Sequence, residues 1–116
     1  ALVDGCVRLL RRWGCYVWRQ NTGGSRYGKP GEPIRWVRFG QRGISDILGW
    51  TKEGLGVAVE CKRPGGRIRP GQQEFVNELA ERGGFGCMVH SIDDLQGLWA
   101  IYQLRRSLRH ASPQNG

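Results

Sequence analysis

The stretch Gly43–Phe75 reads GISDILGWTKEGLGVAVECKRPGGRIRPGQQEF. Two apolar runs, Ile44–Trp50 and Leu55–Lys62, flank a short turn at Thr51–Gly54. Short apolar runs joined through a glycine-containing turn predict a β-hairpin. Side chains of a strand alternate faces, so Val57, Val59 and Cys61 share one face and Ala58, Glu60 and Lys62 the other. LGVAVECK is apolar enough for a central strand, where a carboxylate is costly without a partner or a cation. If the turn centres on Glu53, paired residue numbers add to 106 and Asp46 stands opposite Glu60. Directly opposed Cβ atoms lie about 4.5–5.5 Å apart. Two carboxylates that close repel each other, and a divalent cation relieves the repulsion. Mg²⁺ and Mn²⁺ suit oxygen ligands of this kind. The residues alone leave two readings of Asp46, Glu60 and Lys62 open: a metal site, and a surface ion-pair cluster.

Downstream, Pro64–Arg69 is a basic, glycine-rich link, and Pro70 suits the first turn of a helix. The spacing of Phe75, Val76 and Leu79 predicts a helix over Gln72–Arg82, ended by Gly83-Gly84. Phe85–His90 reads as a strand. Ser91 reads as the N-cap of a last helix running to about Arg109, with Asp93 and Asp94 in its first turn and arginines at its end. Upstream, Leu2–Trp13 is amphipathic at helical spacing, and Gly14 stops it. Cys15–Gln20 predicts a strand, and Ile34–Phe39 another in which apolar and basic residues alternate. Between them, Asn21–Pro33 is rich in Gly and Pro and is expected to be an irregular loop. The order α-β-β-β-β-α-β-α predicts an α/β fold with one mixed sheet flanked by helices. Residues 1–110 are expected to form one domain and 111–116 a disordered tail. Trp36 and Trp50 are expected to pack in the core.

Gly23–Lys29 matches the GxxxxGK portion of a phosphate-binding loop. The next position requires Ser or Thr at a helix start, and here it is Pro30, so no nucleotide cofactor is expected. Cys6, Cys15, Cys61 and Cys87 show no CxxC spacing, and neither histidine completes a ligand pattern. They read as reduced core thiols of an intracellular protein rather than a zinc site. No apolar run reaches the roughly 18–20 residues of a membrane span, and no leader pattern is present. A cytoplasmic setting is expected, in a bacterium or a phage-infected host. The chain opens on Ala1 rather than Met, as a trimmed or partial chain would.

In 116 residues, 18 Lys and Arg oppose 10 Asp and Glu, a formal charge of +8. Such an excess on a small chain points to a polyanion, most simply nucleic acid. Most of the cations are arginines, which favour bidentate phosphate contacts. The candidate phosphate contacts are Arg26, Lys29, Arg35, Arg38, Arg42, Arg63, Arg67 and Arg69. As a metal site, the trio fits phosphodiester hydrolysis. A cation held by Asp46 and Glu60 acidifies water and polarises the phosphate, and Lys62 orients the nucleophile or stabilises developing charge.

Asp46 followed by Glu60-Cys61-Lys62 is the D…ExK pattern of the PD-(D/E)XK nucleases. With VRFGQRG, GISDILGW, VECKRPGGRIRPGQQEF and the flanking VWRQNTGG and GFGCMVHSIDDL, the chain resembles the VRR-NUC family in its small, stand-alone, phage-like form. The resemblance spans about Leu2 to Leu95. It implies a restriction-endonuclease-like core and a Mg²⁺- or Mn²⁺-dependent DNA endonuclease that resolves four-way junctions as a homodimer. It places metal-binding acids at Asp46 and Glu60, a further ligand at the Cys61 backbone carbonyl, the lysine at Lys62 and a glutamine at Gln72. Three positions depart from the pattern. Ser45 stands where Pro is frequent, Arg69 replaces Ser or Thr, and the first-helix acid falls on Asp4 or upstream of Ala1. Other readings are a nuclease of flap, exonuclease or restriction-like specificity, and a non-catalytic basic DNA-binding module.

Overall fold

The computed structural model describes residues 1–20, 45–66 and 71–110, and the backbone of Gly24–Tyr27, Arg35–Arg38 and Ala111. The elements are α1 (Leu2–Arg12), β1 (Tyr16–Arg19), β2 (Gly24–Tyr27), β3 (Arg35–Arg38), β4 (Ile47–Trp50), β5 (Gly56–Cys61), α2 (Gln72–Glu81), β6 (Phe85–Val89) and α3 (Ile92–Ala111). A four-stranded sheet has the order β1-β4-β5-β6. β1 and β4 are antiparallel, as are β4 and β5, while β5 and β6 are parallel through the α2 crossover. The expected α/β class and mixed sheet are therefore present. Two details differ. Gly24–Tyr27, inside the segment expected to be irregular, is a strand, and it pairs antiparallel with β3 in a separate two-stranded ladder. Cross-strand hydrogen bonds impose extended backbone there, and a Gly-Ser-rich run carries no apolar alternation to signal it. β2 also takes up part of the GxxxxGK run, where a phosphate-binding loop would instead be building a helix N-terminus. The predicted tail at 112–116 lies outside the described residues.

Local chemistry sets the element ends. Gly14, at φ 93°, closes α1 while the Cys15 amide donates to the Leu10 carbonyl at 3.0 Å. Its left-handed conformation is what glycine supplies at a helix C-terminus. Ser91 Oγ accepts from the Asp94 amide at 3.1 Å, and Asp94 Oδ2 accepts from the His90 amide at 2.8 Å, which caps α3.

The sheet has two unlike faces. On one, Val17, Ile47, Val57, Val59, Phe85 and Val89 meet Cys6, Val7 and Leu10 of α1 and Leu95 of α3 in the hydrophobic core. Trp13 stacks on Trp99 at 5.0 Å between ring centroids, and Phe85 meets Trp99 edge-on. On the other face α2 lies over β5 and β6, burying Ala58 and Val76. The approach is close because glycines line the sheet beneath the helix. A Cβ on Gly86 would fall 2.3 Å from the Val76 carbonyl oxygen. The β1 and β4 half of this face carries Tyr16, Trp18 and Trp50, which are 63%, 37% and 45% exposed. Trp50 thus stands outside the core, contrary to expectation. The end of β4 turns it onto the face where α2 packs mainly on β5 and β6. Trp36 lies among the undescribed side chains.

Gly86→Ala should lower the unfolding free energy by about 1–3 kcal/mol, the usual range for overpacking. Urea denaturation measures it, and a variant as stable as wild type would refute the close approach.

Candidate active site

The β4–β5 turn is closed by Thr51. Its amide donates to the Leu55 carbonyl at 2.6 Å, its Oγ1 accepts from the Leu55 amide at 3.1 Å, and Gly54 adopts φ 87°. The turn fixes the register Ile47↔Val59, Leu48↔Ala58, Gly49↔Val57 and Trp50↔Gly56, in which paired numbers add to 106 as expected. One step further, Asp46 meets Glu60. The Asp46 amide donates to Glu60 Oε2 at 3.2 Å, and the Cys61 amide donates to Asp46 Oδ2 at 3.0 Å. Each acid is thus anchored on the other strand's backbone. On the far side, the Gln20 amide donates to the Asp46 carbonyl at 2.7 Å, tying Asp46 to β1.

Lys62 prolongs β5, its amide donating to the Val89 carbonyl of β6 at 2.8 Å. Its Nζ lies 3.6 Å from Glu60 Oε1 and donates to Gln72 Oε1 at 2.5 Å. Gln72 Nε2 in turn donates to Glu60 Oε1 at 2.9 Å. The amide thereby gives its oxygen to the cation and its nitrogen to the anion, the only orientation that satisfies both. Gln72 can do this because it is the first residue of α2, launched from Gly71 at φ 88°. Asp46, Glu60, Lys62 and Gln72 form one network drawn from three elements.

Three of its members are buried, Glu60 at 3% and Lys62 and Gln72 at 9% exposed, while Asp46 is half-buried. A surface ion-pair cluster is thus the wrong description of Glu60 and Lys62. Burial, followed by the charge of Asp46, pushes the Glu60 carboxyl up to about 7, while Lys62 pulls it down. Two acids against one lysine leave a negative excess at a site where Glu60 is cut off from water. The donors are hard oxygens, joined by the Cys61 backbone at the seam between the two acids. This set fits Mg²⁺ or Mn²⁺, which retain waters and need few protein ligands. Among the described residues, no group of three or more His, Cys, Asp and Glu could cage a metal. Asp4 sits instead 3.7 Å from Arg19, both side chains being exposed.

Of the candidate phosphate contacts, Arg63 is exposed directly after Lys62. Arg26 lies on β2 and Arg35 and Arg38 on β3, with side chains outside the description, and Lys29, Arg42, Arg67 and Arg69 lie outside the described residues. All four cysteines are free. Burial pushes the Cys15 thiol up to about 11 and the Cys87 thiol up to about 12. The Ser45 hydroxyl, where Pro is frequent in the resembling pattern, is buried with no hydrogen-bond partner among the described residues. Sequence reasoning overlooked Gln20, whose role depends on the β1–β4 register, and the exposed position of Tyr16, Trp18 and Trp50.

A family model, the VRR-NUC domain, matches residues 31–92, more than half of the chain. The chain belongs to the VRR-NUC family and is a nuclease, an enzyme acting on DNA. The matched region contains Asp46, Glu60, Lys62 and Gln72, and leaves out α1 and β1. Neither the curated proteins nor the solved structures yield a significant match to the chain. No helix among the described residues is long and apolar enough to cross a membrane.

The raised Glu60 carboxyl sets a pH dependence. The unfolded chain releases this proton near 4.5 and the folded chain near 7, so stability is full below 4.5 and falls as pH rises to 7. The loss in metal-free protein should reach at most about 3 kcal/mol. Asp46→Asn removes one cause and should move the upper edge of the window below 7, as urea denaturation across pH will report. Ser45→Ala should stabilise by about 1 kcal/mol by removing an unpaired buried hydroxyl. A loss of stability in that variant would reveal a partner for the hydroxyl.

Proposed function

We propose that the protein is a PD-(D/E)XK-type endonuclease that hydrolyses DNA phosphodiester bonds with Mg²⁺ or Mn²⁺. The carrying observation is the network in which Asp46 faces the buried Glu60 while Lys62 and Gln72 converge on Glu60. Asp46, Glu60 and the Cys61 carbonyl would hold the cation. When bound, it supplies Lewis-acid polarisation of the phosphate and acidification of water.

The chain's own groups do the remainder. Gln72 holds the Lys62 ammonium at one end of the acid pair, so its charge is fixed before substrate arrives. Preorganised charge of this kind costs no reorganisation during the reaction. Lys62 orients the attacking water or meets the charge that grows on the phosphate oxygens. The tie from Gln20 and the hairpin register hold Asp46 in place. The excess of eight positive charges draws the DNA backbone to the protein.

The substrate we propose is branched DNA, foremost the four-way junction, cut by a homodimer. No recognition helix or zinc module for reading bases is evident in the sequence. Paired nicks across a junction require two sites related by a two-fold axis.

Labelled junction, flap and linear duplex incubated with Mg²⁺ or with EDTA will test this. Nicking should need the metal and favour the junction. Lys62→Ala should cut at least about 100-fold more slowly while still binding DNA. Binding without cleavage under any divalent metal would leave only a DNA-binding module, and equal cutting of all three substrates would remove the junction preference. A monomeric mass in solution would remove the dimer. At pH 8, Mg²⁺ should raise the melting temperature of the wild type and not of Asp46→Asn.

A further inference from the structure

We propose that Tyr16, Trp18 and Trp50 form a stacking platform for unpaired bases next to the cleaved phosphate. The proposal rests on the reading of Asp46 and Glu60 as the cleavage site and adds to it a feature of the branched substrate, bases left unpaired at the branch point beside the cut.

The three rings stand on the same sheet face as the acids. Strand alternation puts Asp46, Leu48 and Trp50 on one side of β4, and the register sets Trp18 opposite Leu48 and Tyr16 opposite Trp50. Tyr16 and Trp50 are stacked, with centroids 4.7 Å apart and planes 6° from parallel, and Trp18 meets both edge-on. Their orientation is thus set without a ligand. The cluster also adjoins the site. Trp18 Nε1 donates to Gln20 Oε1 at 3.0 Å, and the Gln20 amide donates to the Asp46 carbonyl. At strand rise, Trp18 lies roughly 7 Å and Trp50 roughly 13 Å along the sheet from Asp46. These separations compare with one and two nucleotides of an unstacked strand.

A single exposed aromatic needs no explanation, but three contiguous ones make a patch. Aromatic pairs also stabilise sheets, which accounts for their mutual contact but not for rings left 37–63% exposed. Aromatics on neighbouring strands of an open sheet face are a general device for holding unpaired bases, because every base has a π-face. A second copy of the chain is the competing occupant. It would bring another +8 against a chain already at +8, whereas a nucleic acid strand brings the opposite charge along with its bases.

The test is binding in EDTA, where cleavage does not intervene, using labelled oligothymidine and a fully paired duplex of equal length. Trp18→Ala/Trp50→Ala should weaken oligothymidine binding by about 10-fold or more and leave duplex binding unchanged, with Trp18→Phe/Trp50→Phe retaining most of the affinity. Unchanged oligothymidine binding, or equal weakening on both DNAs, would overturn the platform. Ultraviolet cross-linking of bromouracil-substituted oligonucleotide to the wild-type protein avoids any folding defect. Adducts should map to Tyr16, Trp18 or Trp50, and adducts confined to other residues would overturn the proposal. A drop in solution mass in the alanine variant with oligothymidine binding intact would assign the patch to a second copy. If the wild type cuts no DNA with any metal yet cross-links at these rings, the nuclease mechanism fails and the platform stands.

Discussion

Two carboxylates occupy neighbouring positions on adjacent strands, Glu60 buried and Asp46 half-buried, and each is gripped by an amide from the opposite strand. Like charges at that spacing oppose folding, and backbone hydrogen bonds do not cancel the repulsion. The hairpin register must be held against it. The Thr51 turn and the alternating apolar core on the other side of β5 supply that hold. A one-residue slip would move Val57 and Val59 out of the core, so the register that keeps the acids together is the one the hydrophobic pattern demands.

The two faces of the sheet divide the labour. α1 and α3 cover one with aliphatic and aromatic packing, and that face carries the stability. α2 covers half of the other. Under α2 lie the polar groups that need shelter, and beyond it lie the aromatic groups that stay open to solvent. The line between sheltered and open runs beside Asp46. A charged site there can be dry enough for strong electrostatics and still be reached from the side.

The hairpin, its register and the alternation of β5 were legible because they depend on local, period-two patterning around one turn. Gln72 was reached through the family resemblance, since nothing in the residues between Arg63 and Gly71 says that α2 returns its first turn to Glu60. β2 was not legible, because its backbone is extended by pairing with β3 and not by its own composition. Trp50 misled because hydrophobicity predicts burial on average but does not say where a covering helix stops. Gln20 lies at the end of a strand whose partner is more than twenty residues away, a pairing that one chain's sequence does not encode locally.

β1 is one of the two outer strands of the four, and it carries the exposed rings of Tyr16 and Trp18. An open strand edge next to sticky surface invites another chain to add itself to the sheet. Arg11 bears on this. From α1 its guanidinium reaches across and donates from Nε and Nη2 to the Val17 carbonyl, at 3.2 and 2.9 Å. One backbone acceptor of β1 is thereby spent within the chain, and a cation is parked beside it. The arginine that the sequence offers as one more positive charge therefore also satisfies backbone at the edge of the sheet, which leaves an added strand one acceptor fewer to pair with.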